Sequence, residues 1–420
     1  MGKRRIIEGV GERLTEDLLI EVLLWLPMKP LLRFKSVSKS WFSLISSHRF
    51  AQFHLQRALA SADVHDQTLI AQITRFEDLV LEGEDGFFIL LDIDSLEFGA
   101  NLKLPYSQDV YPFVKEFPFE PPCDLVGSEC GIVCVSVDLS KWPAAKNKTD
   151  IYLWNPATKQ SKRLPPPTIQ DYKKKTALGF CFDHINVDFK VVRVVTGQHR
   201  SGSAEVYSSN KNIWQKIEPM PIDVPYSNDF HACLHGFLLT TGYNGAMAFD
   251  INKEVFVCNI DLPAHSFDHD IYRFEARITD FKDSIAVFNS TNKGFNDKIN
   301  LWTLDDEACL HGSGVKASWS LTISIYLGNA PQFVGGVFNN VEFLIVDEDG
   351  SQVLYNSDKK VYRDVPEPPY FDEALKYTES LFPVAGSKLV NWTASSSRLQ
   401  VESDSNEENI PIDLIDDEVV

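Results

Sequence analysis

Cysteine and histidine side chains that could bind a metal lie in two short stretches of this chain. CGIVCVS places Cys130 and Cys134 four residues apart, and HACLHGF places His231, Cys233 and His235 at alternate positions. Thiolate and imidazole are ligands that zinc prefers. The spacing differs from the paired C-x2-C of structural zinc, and both stretches are typical of strands, in which residues four apart stand about 13 Å apart. We therefore expect no metal site, and no cofactor.

Catalytic motifs are also missing from the sequence. It contains no H-E-x-x-H, no Walker loop and no G-x-S-x-G. HGSGVKA contains G-x-G-x-x-A at Gly312, Gly314 and Ala317, but it lacks the strand-to-helix setting of a dinucleotide site, so a turn is favoured. The carboxylates at 347–349 fit a hairpin turn, where acids are common for backbone reasons. We identify no catalytic residue and expect no enzymatic activity.

Charge and composition restrict the partners and the compartment. The 420 residues carry a net charge of −19, which disfavours nucleic acid because phosphate neutralisation needs clustered Lys and Arg. No apolar run reaches the roughly eighteen residues of a membrane span, and the basic N-terminus is not followed by a signal-peptide core. The seven cysteines are odd in number and scattered, which suits a reducing compartment. We expect the cytoplasm and/or nucleus, with neither nucleic acid nor a membrane as partner.

The elements that would position any site begin with a helical module. We predict a flexible N-terminus at 1–12 and short helices over 13–60. Pro27 ends the first helix, Pro30 can open the second, and Ser47 can cap the last. The result is a unit near the minimum size that folds alone.

The first helix of this module is apolar on more than one side. In LTEDLLIEVLLWLPM, eight of the eleven residues from 16 to 26 are apolar, which is more than one buried stripe requires. Either a partner protein covers the second side, or the module packs on the rest of the chain. We expect Leu18, Leu19, Val22, Leu23 and Leu26 to face the module's own core, and Ile20, Leu24 and Trp25 to point elsewhere.

From about residue 65 to 393 the chain consists of short β-rich runs separated by turn residues. A unit recurs in which a strand ends in an aromatic residue, continues through Asn, Asp or Ser, and leads into a second aromatic-bearing strand. A strand repeat of about 40 to 50 residues is the period of propeller blades. The markers are Trp154, Tyr207, Phe249, Trp302 and Tyr355, separated by 53, 42, 53 and 53 residues, with a diverged copy around Leu91.

The predicted fold is therefore mainly β with a small N-terminal helical module. The β-domain is a kelch-like β-propeller of about six or seven blades, and its aromatic markers occupy equivalent positions near the outer hairpins. A pair of packed sheets, as in a β-sandwich, is the alternative architecture.

Residues 394–420 are rich in Ser and acids, which predicts a disordered tail. Within it, NIPIDLIDDEVV resembles a SUMO-interacting motif, an alternating aliphatic segment followed by carboxylates. Ile412 with Leu414 or Ile415 would enter apolar pockets of the partner as an added strand. The alternatives are a chance group of aliphatic residues, or a segment docked on the propeller.

The N-terminal stretch RLTEDLLIEVLLWLPMKPLLRFKSVSKSWFSLISSHRFAQFHLQRA resembles an F-box, in the form that opens many plant F-box proteins. That form reads L-P-x-D-h-h-x-x-I-L-x-x-L-P-h-K-S-L-L-R-F-K-x-V-S-K-S-W. This sequence departs from it at Thr15, where Pro is usual, and at Pro30, where Ser is common. The resemblance implies contact with a Skp adaptor through Leu14, Leu18, Leu23, Leu24, Leu26, Pro27, Leu31, Phe34, Val37 and Trp41.

The body resembles the plant F-box-associated domain. GSECGIVCVS is similar to its G-S-C-N-G-L-V-C strand, and IYLWNPATKQSKRLPPP to its W-N-P-x-T-x-x-x-x-x-L-P signature. ALGFCFDHINVDFKVVRV is similar to its G-F-G-x-D-x-x-x-D-D-Y-K-V-V-R strand pair. This resemblance also makes Cys130 and Cys134 strand residues.

Together the two resemblances imply a substrate-recognition subunit of a Skp–cullin–F-box ubiquitin ligase. The F-box would bind the Skp adaptor and, through it, cullin, while the β-domain would bind a target protein. The alternatives are a propeller scaffold without a role in ubiquitylation, and a propeller enzyme with carboxylates or metal ligands in its central channel. The sequence does not identify the target or the loops that bind it.

Overall fold

The computed structural model describes the chain between residues 16 and 389 with gaps. The described residues are 16–61, 68–73, 86–92, 95, 98–103, 123–140, 149–169, 175–196, 202–218, 230–242, 245–263, 276–291, 298–311, 314–326, 331–338, 341–347, 352–365, 371–384 and 388–389. They belong to the compact unit formed by residues 1–390. Leu14, the predicted flexible N-terminus at 1–12, and the predicted tail with Ile412, Leu414 and Ile415 lie outside the described residues.

Four short helices form the N-terminal module: α1 (Glu16–Leu24), α2 (Met28–Phe34), α3 (Lys39–Ile45) and α4 (His48–Ser61). No described helix is long and apolar enough to cross a membrane. The hydroxyl of Ser47 accepts a hydrogen bond from the backbone N–H of Phe50 at 3.2 Å, so Ser47 caps α4 as predicted. Ser38 caps α3 in the same way.

The start of α2 differs from the prediction. Pro27, in extended backbone, is the N-cap residue, so the helix begins at Met28 and not at Pro30. Pro30 is the third residue of the helix, where a backbone N–H would have no partner within the helix. Proline, which has no backbone N–H, is therefore tolerated at the third position of the helix, two residues further in than its preferred first position.

Strands make up most of the remaining described chain. In order they are β1 (Thr68–Ile73), β2 (Gly86–Asp92), β3 (Phe98–Lys103), β4 (Cys123–Glu129), β5 (Ile132–Asp138), β6 (Thr149–Asn155), β7 (Gln160–Arg163), β8 (Lys175–Asp183), β9 (Asp188–Thr196), β10 (Gly202–Ser208), β11 (Ile213–Ile217), β12 (Ala232–Leu234), β13 (Phe237–Thr241), β14 (Ala246–Asp250), β15 (Val255–Ile260), β16 (Arg277–Phe281), β17 (Ser284–Thr291), β18 (Lys298–Leu304), β19 (Trp319–Tyr326), β20 (Pro331–Phe338), β21 (Glu342–Asp347), β22 (Gln352–Asn356), β23 (Val361–Asp364), β24 (Phe371–Tyr377) and β25 (Lys388–Leu389).

These strands form six antiparallel sheets, which are the blades of a propeller. Blade 1 has the order β24-β1-β2-β3, and blade 2 runs from β4 to β7 with β25 added beyond β7. Blades 3 to 6 take β8 to β23 in successive groups of four. Strand β24 pairs with β1, so a strand from the far end of the propeller closes the ring. The predicted propeller is confirmed with six blades, and the β-sandwich alternative is wrong.

The five aromatic markers occupy the same place in successive blades, as predicted. Each lies on the third strand of its blade, as does Leu91 in blade 1. Trp302 pairs with Leu321 because residues 305–318, which include a 3-10 helix (Glu307–His311), lengthen the hairpin of blade 5. In the other four blades the marker pairs with the residue seven positions later, at Ser161, Trp214, Phe256 and Tyr362.

The polar residue that follows each of these four markers builds the outer hairpin turn. Asn155 Oδ1 accepts a hydrogen bond from the backbone N–H of Thr158 at 3.0 Å. Ser208, Asp250 and Asn356 accept equivalent bonds from the N–H three positions later. Short side chains that accept hydrogen bonds from their own turn explain why the repeat has Asn, Asp or Ser at this position.

Three inner hairpins in the described chain are two-residue turns in which both residues have positive φ, and in blade 5 these residues are Lys282 and Asp283, with φ of 51° and 58°. Cys130 and Gly131, with φ of 51° and 76°, join β4 to β5, and His235 and Gly236, with φ of 49° and 84°, join β12 to β13. This is the backbone of a type I′ turn, whose second position suits glycine. The prediction that Cys130 and His235 are strand residues is therefore wrong.

Buried apolar side chains fill the spaces between neighbouring blades. A further cluster joins side chains of the helical module, such as Leu23, Leu31 and Phe50, to side chains of blades 2 and 3, such as Ile132 and Phe189. The module therefore shares a core with the propeller, which is the second of the two arrangements that the apolar first helix allowed.

Candidate functional site

One stripe of α1 remains exposed although the module packs on the propeller. Leu18, Val22 and Trp25 are 54%, 51% and 63% exposed. Leu18 and Val22 lie on one face of α1, and the spacing of three residues places Trp25, directly after the end of the helix, on the same side. Exposed apolar groups at this spacing form a surface suited to a partner protein. We name these three residues the α1 stripe.

The opposite face of α1 is buried, and this corrects the predicted orientation. Leu18 and Val22, expected to face the module's own core, are exposed, whereas Leu24, expected to point elsewhere, is buried in the cluster shared with blades 2 and 3. Trp25 is exposed as predicted, and Ile20 is partly buried against the same cluster. The inward face is fixed by long-range packing, which the sequence of the helix alone does not specify.

The other residues that the resemblance assigned to adaptor contact differ in exposure. Pro27 and Val37 are exposed, and Leu26, Phe34 and Trp41 are partly buried. Phe34 and Trp41 pack edge to face with their rings 5.4 Å apart. Leu23, Leu24 and Leu31 are buried.

Besides Trp25, two exposed aromatic residues of the module were absent from the predicted adaptor contacts. Phe42 on α3 and Phe53 on α4 are about half exposed, and the guanidinium of Arg49 lies 5.4 Å from the Phe53 ring. The sequence indicates that Phe53 is exposed, because Phe53 lies off the helical face that Phe50 and His54 share on α4. Both residues add to the apolar surface of the module.

The exposed Trp25 is supported by polar neighbours rather than left isolated. The guanidinium of Arg57, on α4, lies 4.1 Å from the centre of the Trp25 ring. Arg57 also donates a hydrogen bond to Glu21 at 2.8 Å. Because Arg57 holds both residues, the indole is presented in a defined position on the module surface.

The central channel is the second candidate site. The first strands of the blades line a cavity of about 250 Å³ whose charged groups are Glu129, Arg277, Asp280 and Lys376, with His231 at its wall. Lys376 Nζ lies 3.7 Å from Asp280 Oδ2, so these two charges form an ion pair. The channel therefore holds charges of both signs.

The pKa values in the channel do not favour nucleophilic chemistry. Burial raises the pKa of Glu129 to about 7, while the Cys233 thiol, which donates a hydrogen bond to this carboxylate, has its pKa raised well above its ordinary value by burial. A thiol of raised pKa is a poor nucleophile. Burial, with the nearby charge of Arg277, lowers the pKa of His231 to about 3, so this imidazole is neutral.

The residues considered for zinc are not brought together as a site. Cys134 is buried on β5, Cys233 lies on β12, and Cys130 lies in the turn before β5. The ring nitrogens of His235 face Glu307 Oε1 at 2.5 Å and Asp283 Oδ1 at 3.2 Å. Among the described residues, no group of three or more His, Cys, Asp and Glu is placed to hold a metal ion. Gly314 and Ala317 lie in the loop before β19, as the turn interpretation of HGSGVKA predicts, while Gly312 is outside the described residues.

Comparison with known families and proteins accounts for both parts of the structure. The model of the F-box domain matches residues 12–53, and that of the F-box associated beta propeller domain matches residues 103–365. The chain belongs to the plant F-box proteins with an associated β-propeller. The propeller match begins at the last residue of β3 and ends before β24, so β24 and β1, which close the ring, lie outside the matched range.

Relatives of this F-box protein occur in Arabidopsis thaliana. F-box protein CPR1 is 27% identical over 379 residues, covering 83% of this chain and 81% of the relative. A putative F-box/kelch-repeat protein is 28% identical over 260 residues, covering 58% of this chain and 57% of the relative. Among solved structures, the WD40 β-propeller domain of Doa1 aligns over 60% of this chain and 70% of that chain, with 11% identity and a TM-score of 0.30, too low to support an argument.

Proposed function

We propose that this chain is the substrate-recognition subunit of a Skp–cullin–F-box ubiquitin ligase. The observation that carries the proposal is the exposed α1 stripe, on an F-box module that shares its core with a six-bladed propeller. The module would bind the Skp adaptor and, through it, cullin. The propeller would hold a target protein whose identity the fold does not specify.

In this role the chain needs two binding surfaces and no catalytic group of its own. When the target is bound beside the ubiquitin-conjugating enzyme, the two meet within one complex rather than in solution. This raises the effective concentration of the target at the enzyme. The channel chemistry supports this non-catalytic role, since Asp280 is paired with Lys376 and the Cys233 thiol has a raised pKa. Of the seven cysteines, the six whose side chains the structure describes are free thiols, which supports a location in the cytoplasm and/or nucleus; they are Cys123, Cys130, Cys134, Cys181, Cys233 and Cys309.

The exposure pattern divides the proposed adaptor contacts into three groups. We assign direct contact to Leu18, Pro27 and Val37, which the resemblance names, and add the exposed Val22 and Trp25, which it does not name. Leu26, Phe34 and Trp41 would contribute their exposed edges. Leu23, Leu24 and Leu31 would act by packing, since they are buried and support the helices that carry the contacts.

Co-purification of the full chain with a Skp adaptor tests the proposal. We expect Leu18→Asp to abolish co-purification, because a charge in a desolvated apolar contact costs several kcal/mol. The change should not harm folding, since Leu18 lies in the first turn of α1, where a carboxylate interacts favourably with the helix dipole.

The matched control is Ile185→Asp on the propeller, where the isoleucine is 74% exposed. It should leave adaptor binding unchanged. If Leu18→Asp also binds as the wild type does, the α1 stripe is not the contact. If the wild-type complex with cullin and a conjugating enzyme transfers no ubiquitin, the scaffold interpretation replaces the ligase.

A further inference from the structure

After β24 the chain crosses from blade 1 to the outer edge of blade 2 through residues 378–384, which we name the strap. The strap has no regular secondary structure, yet Ser380, Leu381, Phe382 and Val384 are buried. Strand β25 follows it and pairs with β7 as a fifth strand. Burying an irregular segment requires partners for its backbone N–H and C=O groups.

Asn155 supplies two of those partners. Its side-chain Nδ2, fully buried, donates to the carbonyl oxygens of Ser380 at 3.0 Å and of Phe382 at 2.9 Å. Its Oδ1 meanwhile accepts from Thr158 and caps the turn of blade 2. The side-chain amide of Asn155 therefore joins the strap to blade 2: its Nδ2 binds the strap and its Oδ1 binds the turn.

The inner turn of blade 2 provides a second attachment. The hydroxyl of Ser380 donates to the carbonyl oxygen of Cys130 at 2.5 Å. A Cβ atom on Gly131 would lie 2.3 Å from that hydroxyl oxygen and 2.6 Å from the carbonyl oxygen of Thr378. The close approach requires glycine, so the strap is seated directly on the turn.

Phe382 connects the strap to the helical module. Its ring packs edge to face on His48, the first residue of α4, with centroids 5.0 Å apart. On the propeller side the same ring contacts Phe182 at 5.7 Å and Phe189 at 6.0 Å, both in blade 3. The strap thus lies at the junction of the module with blades 2 and 3.

We propose that the strap fixes the orientation of the helical module on the propeller, with Asn155 and Phe382 as the positioning residues. Its polar contacts hold it to blade 2, and the Phe382 ring transmits this position to α4. The α1 stripe then points in one direction relative to the propeller axis. A fixed distance between the bound adaptor and the bound target would raise the effective concentration of the target for ubiquitin transfer, a consequence that rests on the proposed function. The fixed geometry itself does not rest on it.

Two variants remove separately the Asn155 bonds to the strap and the Phe382 contact with the module. Asn155→Asp keeps an oxygen that accepts from Thr158 but replaces the donor that faces two carbonyl oxygens, so the turn cap survives and the strap contact is lost. Phe382→Leu keeps an apolar side chain but removes the ring contacts with His48. The control is Phe343→Leu, which removes a fully buried ring of blade 6 that packs on Phe281 and Phe288 of blade 5.

Electron–electron distance measurements on the full chain test the proposal. Spin labels are attached through encoded ketone residues at Ser43 on α3 and Lys359 in blade 6, both exposed, so that the native cysteines stay unlabelled. We expect one narrow distance distribution for the wild type and for Phe343→Leu. In both strap variants the distribution should become at least twice as wide, while circular dichroism shows the fold retained.

Strap variants with the narrow wild-type distribution would overturn the proposal, and so would a wild-type distribution as wide as theirs. If either strap variant fails to fold, the other decides, because each removes a different contact of the strap. Skp adaptor binding, measured on the same samples, depends on the α1 stripe and not on the strap. The failure of this proposal is therefore distinguishable from failure of the proposed function.

Discussion

Replacing Trp25 by alanine should weaken Skp adaptor binding by about a hundredfold without destabilising the chain. The residue is 63% exposed, and an aromatic side chain of this size presents roughly 250 Å² when fully exposed. A partner that covers the exposed part removes roughly 160 Å² from water, which at about 25 cal/mol per Å² amounts to about 4 kcal/mol. Alanine retains some of this area and Arg57 already covers part of one ring face. The expected loss is therefore about 3 kcal/mol, or roughly two decades in Kd.

Isothermal titration of the adaptor into the full chain measures this loss, and thermal unfolding of the same samples provides the stability check. Leu24→Ala is the informative contrast, because Leu24 is buried and its truncation should cost about 2 to 5 kcal/mol of stability. Ile185→Ala, at an exposed propeller site, should change neither quantity. A Trp25→Ala variant that binds within threefold of wild type would refute the argument from exposure, as would Leu24→Ala with an unchanged melting temperature and weakened binding.

Three further predictions concern other parts of the chain. The hydrogen bond to Glu307, and to a smaller extent the contact with Asp283, raises the pKa of His235. Protonated His235 therefore stabilises the folded chain fully below the unfolded pKa of about 6.5, and this stabilisation is lost as pH rises through the folded pKa. The melting temperature of wild type relative to His235→Gln should therefore be higher at pH 5.5 than at pH 8.5; an equal difference at both would contradict this. Arg193→Met should lower the free energy of unfolding in urea by about 3 to 5 kcal/mol, because it leaves the buried Glu205 carboxylate without its cation. Combining Arg193→Met with Glu205→Leu should recover part of the lost stability. If the double variant recovers none, the unpaired carboxylate is not the cause of the loss. A peptide of residues 405–420 should shift SUMO resonances in a titration, and a shift that persists after replacing its central aliphatic pair by alanine would show that the motif is accidental.

The blade repeat was readable from the sequence because its signals are local. An aromatic marker such as Trp154 and the polar residue after it, Asn155, serve one hairpin, and both lie within a few residues of the partners that explain them. Four blades repeat this requirement, so the period emerges without knowledge of the fold. The second role of Asn155, holding the strap, depends on residues more than 200 positions later and left no such signal.

The predictions that failed concern positions where a local pattern has two interpretations. Cys130 and His235 each precede a glycine. Between two apolar runs, the dipeptide CG or HG fits a two-residue turn as well as it fits a continuing strand. The first helix posed the same difficulty, since its apolar residues cover more than one face. Which face is inward was decided by contact with blades 2 and 3, so Leu24 is buried and Leu18 is exposed.

The closure of blade 1 by β24 determines when the propeller can be completed during synthesis. Strand β1 leaves the ribosome soon after the helices, but its inner neighbour follows roughly 300 residues later. At about 5 to 20 residues per second, the first blade would wait some 15 to 60 seconds with an unpaired inner edge. The helices of the F-box are therefore synthesised well before the ring they rest on, and a transcript truncated after the family-matched region would produce an F-box joined to an open ring. Such a chain could occupy the adaptor while presenting no finished surface to a target.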